Sequence, residues 1–161
     1  MILVREATAG EWQVLRDIRL EALRDAPDAF LSTYAEQVAL EEGNWRGFIS
    51  RGGTFLAYFP EGNTTEPAGL VSGDLEEPST VQLMSMWVRP QARGEGVGEA
   101  LIDAVVDWAG AQNAKSVHLW VIETNKYARL LYERCGFSPT GQRQPLPPTP
   151  HLIEIGMIRP L

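Results

Sequence analysis

The sequence predicts one α/β domain over residues 1–161, a central mixed sheet flanked by about four helices. Three observations carry that expectation. From Thr80 to Ala109 an apolar run passes through a glycine-rich turn into an amphipathic helix pattern. An alternating run from Val117 to Ile122 follows that helix, so a crossover joining two parallel strands is expected. On both sides of this unit lie shorter runs of strand character broken by polar turns.

Taken in order, Ile2 to Glu6 alternates as a short, edge-like strand. Thr8 and Glu11 stand at capping-box spacing, and Leu15, Ile18, Leu20, Ala22 and Leu23 describe a first helix from Trp12 to about Asp25. Ala26-Pro27-Asp28 closes it. Residues 29–37 carry no clean period, whereas Trp45, Phe48 and Ile49 mark a second, short helix between Leu40 and Ile49, stopped by Gly52-Gly53. Thr54 to Phe59 and Ala68 to Leu75 read as an antiparallel hairpin joined by a polar turn from Pro60 to Pro67.

Val81, Leu83, Met84, Met86, Trp87 and Val88 form so continuous an apolar run that a strand buried on both faces is expected, ended by Pro90. Gly94, Gly96 and Gly98 then lead into a helix with Val97, Leu101, Val105 and Trp108 or Ala109 on one side and Glu99, Asp103 and Asp107 on another. After the Val117–Ile122 strand, Thr124 or Asn125 caps a helix whose stripe is Ala128, Leu131, Tyr132 and Cys135, with Gly136 as its stop. Phe137 starts a strand. Five prolines between Pro139 and Pro150 predict a long loop, and His151 to Ile158 alternates as a last strand.

Composition narrows the function classes. With 44% apolar and 22% charged residues the chain is globular, and its net charge of −7 disfavours nucleic-acid binding while suiting a cationic partner. No stretch approaches the roughly 18 apolar residues of a membrane helix, and MILVREAT lacks a secretory pattern, so a cytoplasmic protein without a membrane partner is expected. Cys135 is the only cysteine, which rules out an intrachain disulfide and a cysteine-rich metal site; its expected role is a small buried hydrophobe. Exposed strand edges leave monomer and homodimer both open.

The chemistry concentrates at the glycines. A helix N-terminus presents unpaired N–H donors and a partial positive charge, and a glycine loop before it lets an anion such as a pyrophosphate approach them. A P-loop is excluded because Gly98 is followed by Glu99 and Ala100, not by Lys and Ser or Thr. A dinucleotide fingerprint fits poorly: the spacing is Gly94-x-Gly96-x-Gly98 and lies past mid-chain, although Glu123 ends the next strand where an acidic residue would be wanted. The plainest reading is that these glycines only permit a tight strand-to-helix turn.

Val88-x-Pro90-Gln91-Ala92-Arg93-Gly94-Glu95-Gly96-Val97-Gly98 resembles the coenzyme A loop of the GCN5-related N-acetyltransferases, whose core is Gln/Arg-x-x-Gly-x-Gly/Ala. Asn125-x-x-Ala128-x-x-Leu131-Tyr132-x-x-x-Gly136-Phe137 resembles the second block of the same family. The motifs cover about Val81 to Phe137; beyond them the likeness is one of element order. The resemblance implies the acyl-CoA N-acyltransferase fold, acetyl-CoA as acetyl donor, no metal, and a primary amine of a small molecule or peptide as acceptor.

By the same resemblance the central and following strands splay, and backbone groups of Met86, Trp87 and Val88 pair with the pantetheine arm as an added strand. The N–H groups of Gly94, Glu95, Gly96, Val97, Gly98 and Glu99 hold the pyrophosphate, with Arg93 adding charge. Asn125 anchors the pantetheine arm, or merely caps its helix. Tyr132 takes the position of the general acid that protonates the departing thiolate, although tyrosine in such a stripe is also a common core residue. The glutamate that some members carry on the preceding strand is replaced by Trp120, so the base is unassigned among Glu123, Asp74, Glu76, Glu77 and Glu154.

His118 reads as a structural or wet-face histidine, His151 as an acceptor-site candidate. Fold analogy places Phe30, Tyr34, Trp45 and Pro145 to His151 around the acceptor. Two rival functions stay in view. A coenzyme A sensor without turnover is motivated by the missing base, and a dinucleotide-dependent oxidoreductase by the glycines alone.

Overall fold

The computed structural model describes residues 1–61, 65–147 and 149–161. Its strands are β1 (Leu3–Glu6), β2 (Thr54–Tyr58), β3 (Gly69–Glu77), β4 (Thr80–Val88), β5 (Ser116–Ile122), β6 (Ser138–Leu146) and β7 (Thr149–Pro160). The α-helices are α1 (Trp12–Asp25), α2 (Tyr34–Val38), α3 (Glu42–Ser50), α4 (Val97–Ala111) and α5 (Lys126–Arg134). The strands form one sheet in the order β1-β2-β3-β4-β5-β7-β6, antiparallel except for the β4–β5 pair. The parallel pair is the one joined by the α4 crossover, as the sequence predicts.

Each face of the sheet carries its own core. Val97, Leu101, Ile102, Val105 and Ala109 of α4 pack on Val71, Val81, Leu83, Val117, Leu119 and Met157. On the other face Leu15, Ile18 and Leu23 of α1 and Trp45 and Ile49 of α3 pack on Leu56, Tyr58, Leu70 and Trp87. Glu11 closes the entry to α1, its carboxylate accepting from the Thr8 N–H at 3.0 Å and from the Thr8 hydroxyl at 3.1 Å.

Trp45 is fully enclosed, with its ring edge-to-face against Phe48 at 5.5 Å and its indole N–H unpaired. Trp45→Ala should therefore destabilise the fold by about 3–5 kcal/mol in urea unfolding. Trp45→Phe should cost less than half of that, because the N–H it removes makes no hydrogen bond. Equal losses in the two variants would contradict this packing.

Four expectations need correction or delimiting. The β4 strand is not buried on both faces, since Gln82, Met84, Ser85 and Met86 are only half-buried; it is β2, Thr54–Tyr58, that is buried throughout. The proline-rich stretch is not a loop but the edge strand β6, paired with β7 at Ser138–Ile158, Pro139–Met157 and Arg143–Ile155 through Pro145–Ile153. Pro139 and Pro145 are tolerated there because an edge strand need not donate on both sides. A fifth helix, α2, joins the expected four, capped where the Thr33 hydroxyl accepts from Glu36 N–H at 3.2 Å; five residues are too few to show a period. Finally, residues 62–64 of the predicted polar turn and Pro148 lie outside the described residues.

Candidate active site

The site begins with an irregularity in β4. Between the pairs Leu70–Trp87 and Ser72–Met84 one residue of β3 faces two of β4, Ser85 and Met86, and Ser85 adopts φ 58°. The bulge re-aims the strand. Parallel pairing of β4 with β5 ends at Gln82–His118, although β4 runs on to Val88 and β5 to Ile122. The two strands thus part toward their C-terminal ends, and a cleft of about 960 Å³ occupies the opening.

At one end of the cleft stands α4. Gly94 and Gly96 take φ of 83° and 88°, which favour glycine, and Gly96 is the N-cap. The first bond of the helix is Ala100 N–H to the Gly96 carbonyl at 3.1 Å, so the N–H groups of Val97, Gly98 and Glu99 have no helical acceptor. Gly98 has a different reason to be glycine: a Cβ there would stand 3.0 Å from Leu131 Cδ2, so its absence lets α4 and α5 approach.

The cleft wall includes Met86, Trp87, Val88, Arg93, Gly94, Gly96, Val97, Gly98, Glu99, Asn125 and Tyr132; of the expected coenzyme residues, Glu95 is exposed and outside it. Arg93 is not a free cation. Its guanidinium pairs with Asp25 at 2.8 Å and donates to the Val88 carbonyl at 3.0 Å, while Asp25 also accepts from the Trp87 indole at 2.9 Å. These donors hold the Asp25 carboxyl below the usual carboxylate range. Glu99, which would oppose an anion at the helix start, is paired with Arg134 of α5 at 3.0 Å.

Asn125 does cap α5, its Oδ1 accepting from Ala128 N–H at 3.2 Å, and its exposed amide still borders the cleft. Tyr132 is buried, only 7% exposed, with its ring edge-on to Phe137 at 5.9 Å. Burial drives its phenol well above the ordinary value, so it is protonated at neutral pH. Cys135 is half-buried and its thiol is likewise raised by burial, which disfavours the reactive thiolate.

The candidate carboxylates separate. Glu123 is forked onto Arg143 at 2.7 and 2.9 Å, outside the cleft wall. Asp74 lines an adjoining smaller cavity and Glu77 neither. Glu76 and Glu154 do line the cleft; Glu154 is 6% exposed and accepts from Gln144 at 2.6 Å. Trp120 also lines it. His118 bonds Gln82 through Nδ1 at 3.1 Å, and burial holds its imidazole below the ordinary value, in keeping with a structural role.

Of the acceptor-side expectations, Phe30 and the Leu146–Pro147 corner line the cleft, but Tyr34 and His151 do not, and Trp45 is core. Trp45 faces inward because α3 turns its apolar stripe onto the sheet. The sequence reading missed Arg19, Ser85, Arg134 and Gln144, all in the cleft wall. Only Arg19 left a signal: it falls four residues after Leu15 and four before Leu23, a charge on the buried stripe of α1.

A family model described as the acetyltransferase (GNAT) family matches residues 12–137. An uncharacterized N-acetyltransferase of Methanocaldococcus jannaschii is 33% identical over 78 residues, 45% of this chain. The chain spans about a third (34%) of that relative's length. An aminoglycoside N(6')-acetyltransferase type 1 of Stenotrophomonas maltophilia is 29% identical over 91% of this chain and 95% of its own. The structure of a GCN5-related N-acetyltransferase from Kribbella flavida superposes with a TM-score of 0.77 at 25% identity, covering 99% of this chain and 98% of that one.

Proposed function

The chain belongs to the acetyltransferase (GNAT) family, and from that premise we propose that it transfers the acetyl group of acetyl-CoA to a primary amine of a small molecule or peptide by direct attack. The observation that carries this is the opening between β4 and β5, with the bare N–H groups of Val97, Gly98 and Glu99 at one end and Tyr132 in its wall. That end suits the pyrophosphate. The edge of β4 beyond the bulge suits the amide-bearing pantetheine arm laid along Met86 to Val88.

In the reaction the amine lone pair attacks the thioester carbonyl carbon, a C–N bond forms, and the C–S bond breaks. An amine arriving as ammonium first gives up one proton to free that lone pair; after attack the nitrogen loses a second to water, and the sulfur leaves as a thiolate that gains one. Tyr132, kept protonated by burial, is the donor to sulfur. Glu154, buried in the cleft wall with one hydrogen bond, is the acceptor of the ammonium proton, directly or through water. Glu76 and Glu154 also add negative charge to the cleft wall, which attracts an amine arriving as ammonium.

The sensor alternative rested on a missing base, and the presence of Glu76 and Glu154 in the cleft wall favours turnover over it. Thermal unfolding with acetyl-CoA, NADH and ATP tests the cofactor. Acetyl-CoA alone should raise the midpoint, since a ligand at about 100 times its Kd adds about 2.7 kcal/mol to the folded state. A shift with NADH and none with acetyl-CoA would sink the proposal.

A further inference from the structure

The least explained group in the cleft is a cation. Arg19 lies on α1 among Leu15, Ile18 and Leu23, half-buried, and lines both the main cleft and the smaller cavity of about 250 Å³ beside it. Its Nε donates to Gln37 Oε1 at 2.7 Å and its Nη1 to Ser85 Oγ at 2.5 Å, and its guanidinium stacks over the Phe30 ring at 5.2 Å. Among the described residues it has no ion-pair partner, and Nη2 makes no hydrogen bond.

Three carboxylates of the cleft wall are engaged elsewhere, and neither Glu76 of the cleft nor Asp74 of the smaller cavity makes an ion pair with Arg19. Asp25 is taken by Trp87 and Arg93, and Asp28 accepts from Thr149 at 3.3 Å. Glu154 is bonded by Gln144 on the β6–β7 side. Burial without a counter-charge pushes the Arg19 pKa down to about 10, which still leaves it cationic at neutral pH. A desolvated charge of this kind is costly unless something pairs with it. Gln37 and Ser85 are neutral and only aim it, fixing the guanidinium at the β4 bulge where the cleft opens.

We propose that the acceptor amine also carries a carboxylate or similar oxyanion, which docks on Arg19, so that the substrate class is a small amino-acid-like zwitterion. This rests on the acetyltransferase reading given above. The ammonium end meets the Glu154 carboxylate of the cleft wall and the oxyanion meets Nη2, with the two ends of the acceptor sorted by charge. Guanidinium geometry favours two-oxygen groups, carboxylate or phosphonate, over a single point charge.

The test is a matched panel followed by CoA release: amino carboxylates, aminophosphonates, the primary amides of the same amino acids, and polycationic amines without an acid group. The wild-type protein should turn over an acid-bearing amine with kcat/KM about 10- to 100-fold above its own amide. Arg19→Gln should bring that ratio to about one through KM, with Arg19→Lys between, while acetyl-CoA still raises the midpoint of both variants. A structural role for Arg19 would lower both partners of a pair alike. Preference for amides or polycations, or no turnover of any acid-bearing amine by protein that binds acetyl-CoA, overturns the assignment. Failure of acetyl-CoA to bind wild-type protein overturns the parent reading instead.

Discussion

Tyr132→Phe should lower kcat by about 100-fold or more with the acetyl-CoA midpoint shift retained. Phenylalanine keeps the ring that packs on Phe137 and lines the cleft, so the change isolates one O–H. That hydroxyl makes no hydrogen bond among the described residues, so its removal should scarcely alter stability. An acid that must reprotonate a thiolate has to hold its proton through the neutral range, and burial ensures this by raising the phenol pKa.

The pH dependence has a definite sign. A folded pKa raised above the unfolded value, about 10 for tyrosine, favours the folded state below that pH. The benefit is lost only as pH rises beyond it. The alkaline limb from Tyr132 should therefore lie above pH 10, and any limb seen nearer neutrality belongs to another group. Glu154→Gln supplies the complement: it should depress kcat/KM, because an amide cannot take the ammonium proton. Unchanged turnover in Tyr132→Phe removes Tyr132 as the acid, whatever Glu154 does.

The legible and illegible parts of this molecule divide on physical lines. The crossover was readable because α4 shows a helical period over 15 residues and its flanking strands are apolar, so local pattern and tertiary role agree. The edge strand β6 was not readable, because its pattern is almost uniformly exposed and its prolines argue for a loop; only pairing with β7 makes it a strand. The bulge at Ser85 was invisible for a similar reason. A residue with positive φ inside an apolar run leaves no mark in composition, yet it lies where β4 has parted from β5. At the site, the glycines could be located from spacing and Tyr132 only through the family resemblance, whereas Arg93 could not be known to be bound by Asp25, which lies 68 residues away in sequence. Glu154 and Arg19 come from opposite ends of the chain, and only the folded sheet brings both to one cleft.

Gly96→Val should cut the acetyl-CoA midpoint shift by half or more, weakening binding by about 10- to 100-fold, and should lower stability as well. At φ 88° a β-branched residue is a steric outlier, so the chain must either hold the strain or rotate the peptide that starts α4. Rotation moves the Val97 and Gly98 N–H groups, and an anion site made of backbone donors cannot tolerate that. Gly96→Ala separates the two costs. Its Cβ would meet only Ile2 Cδ1 at 3.7 Å, an ordinary contact, so the loss of about 1–2 kcal/mol in unfolding comes from backbone conformation alone. If the alanine variant binds acetyl-CoA nearly as well as wild type while valine does not, bulk beside the loop blocks the ligand. If both lose binding together, the left-handed turn itself sets the donors. Full binding by Gly96→Val would mean that the start of α4 is not the pyrophosphate site, and the glycines would be left with the turn as their whole purpose.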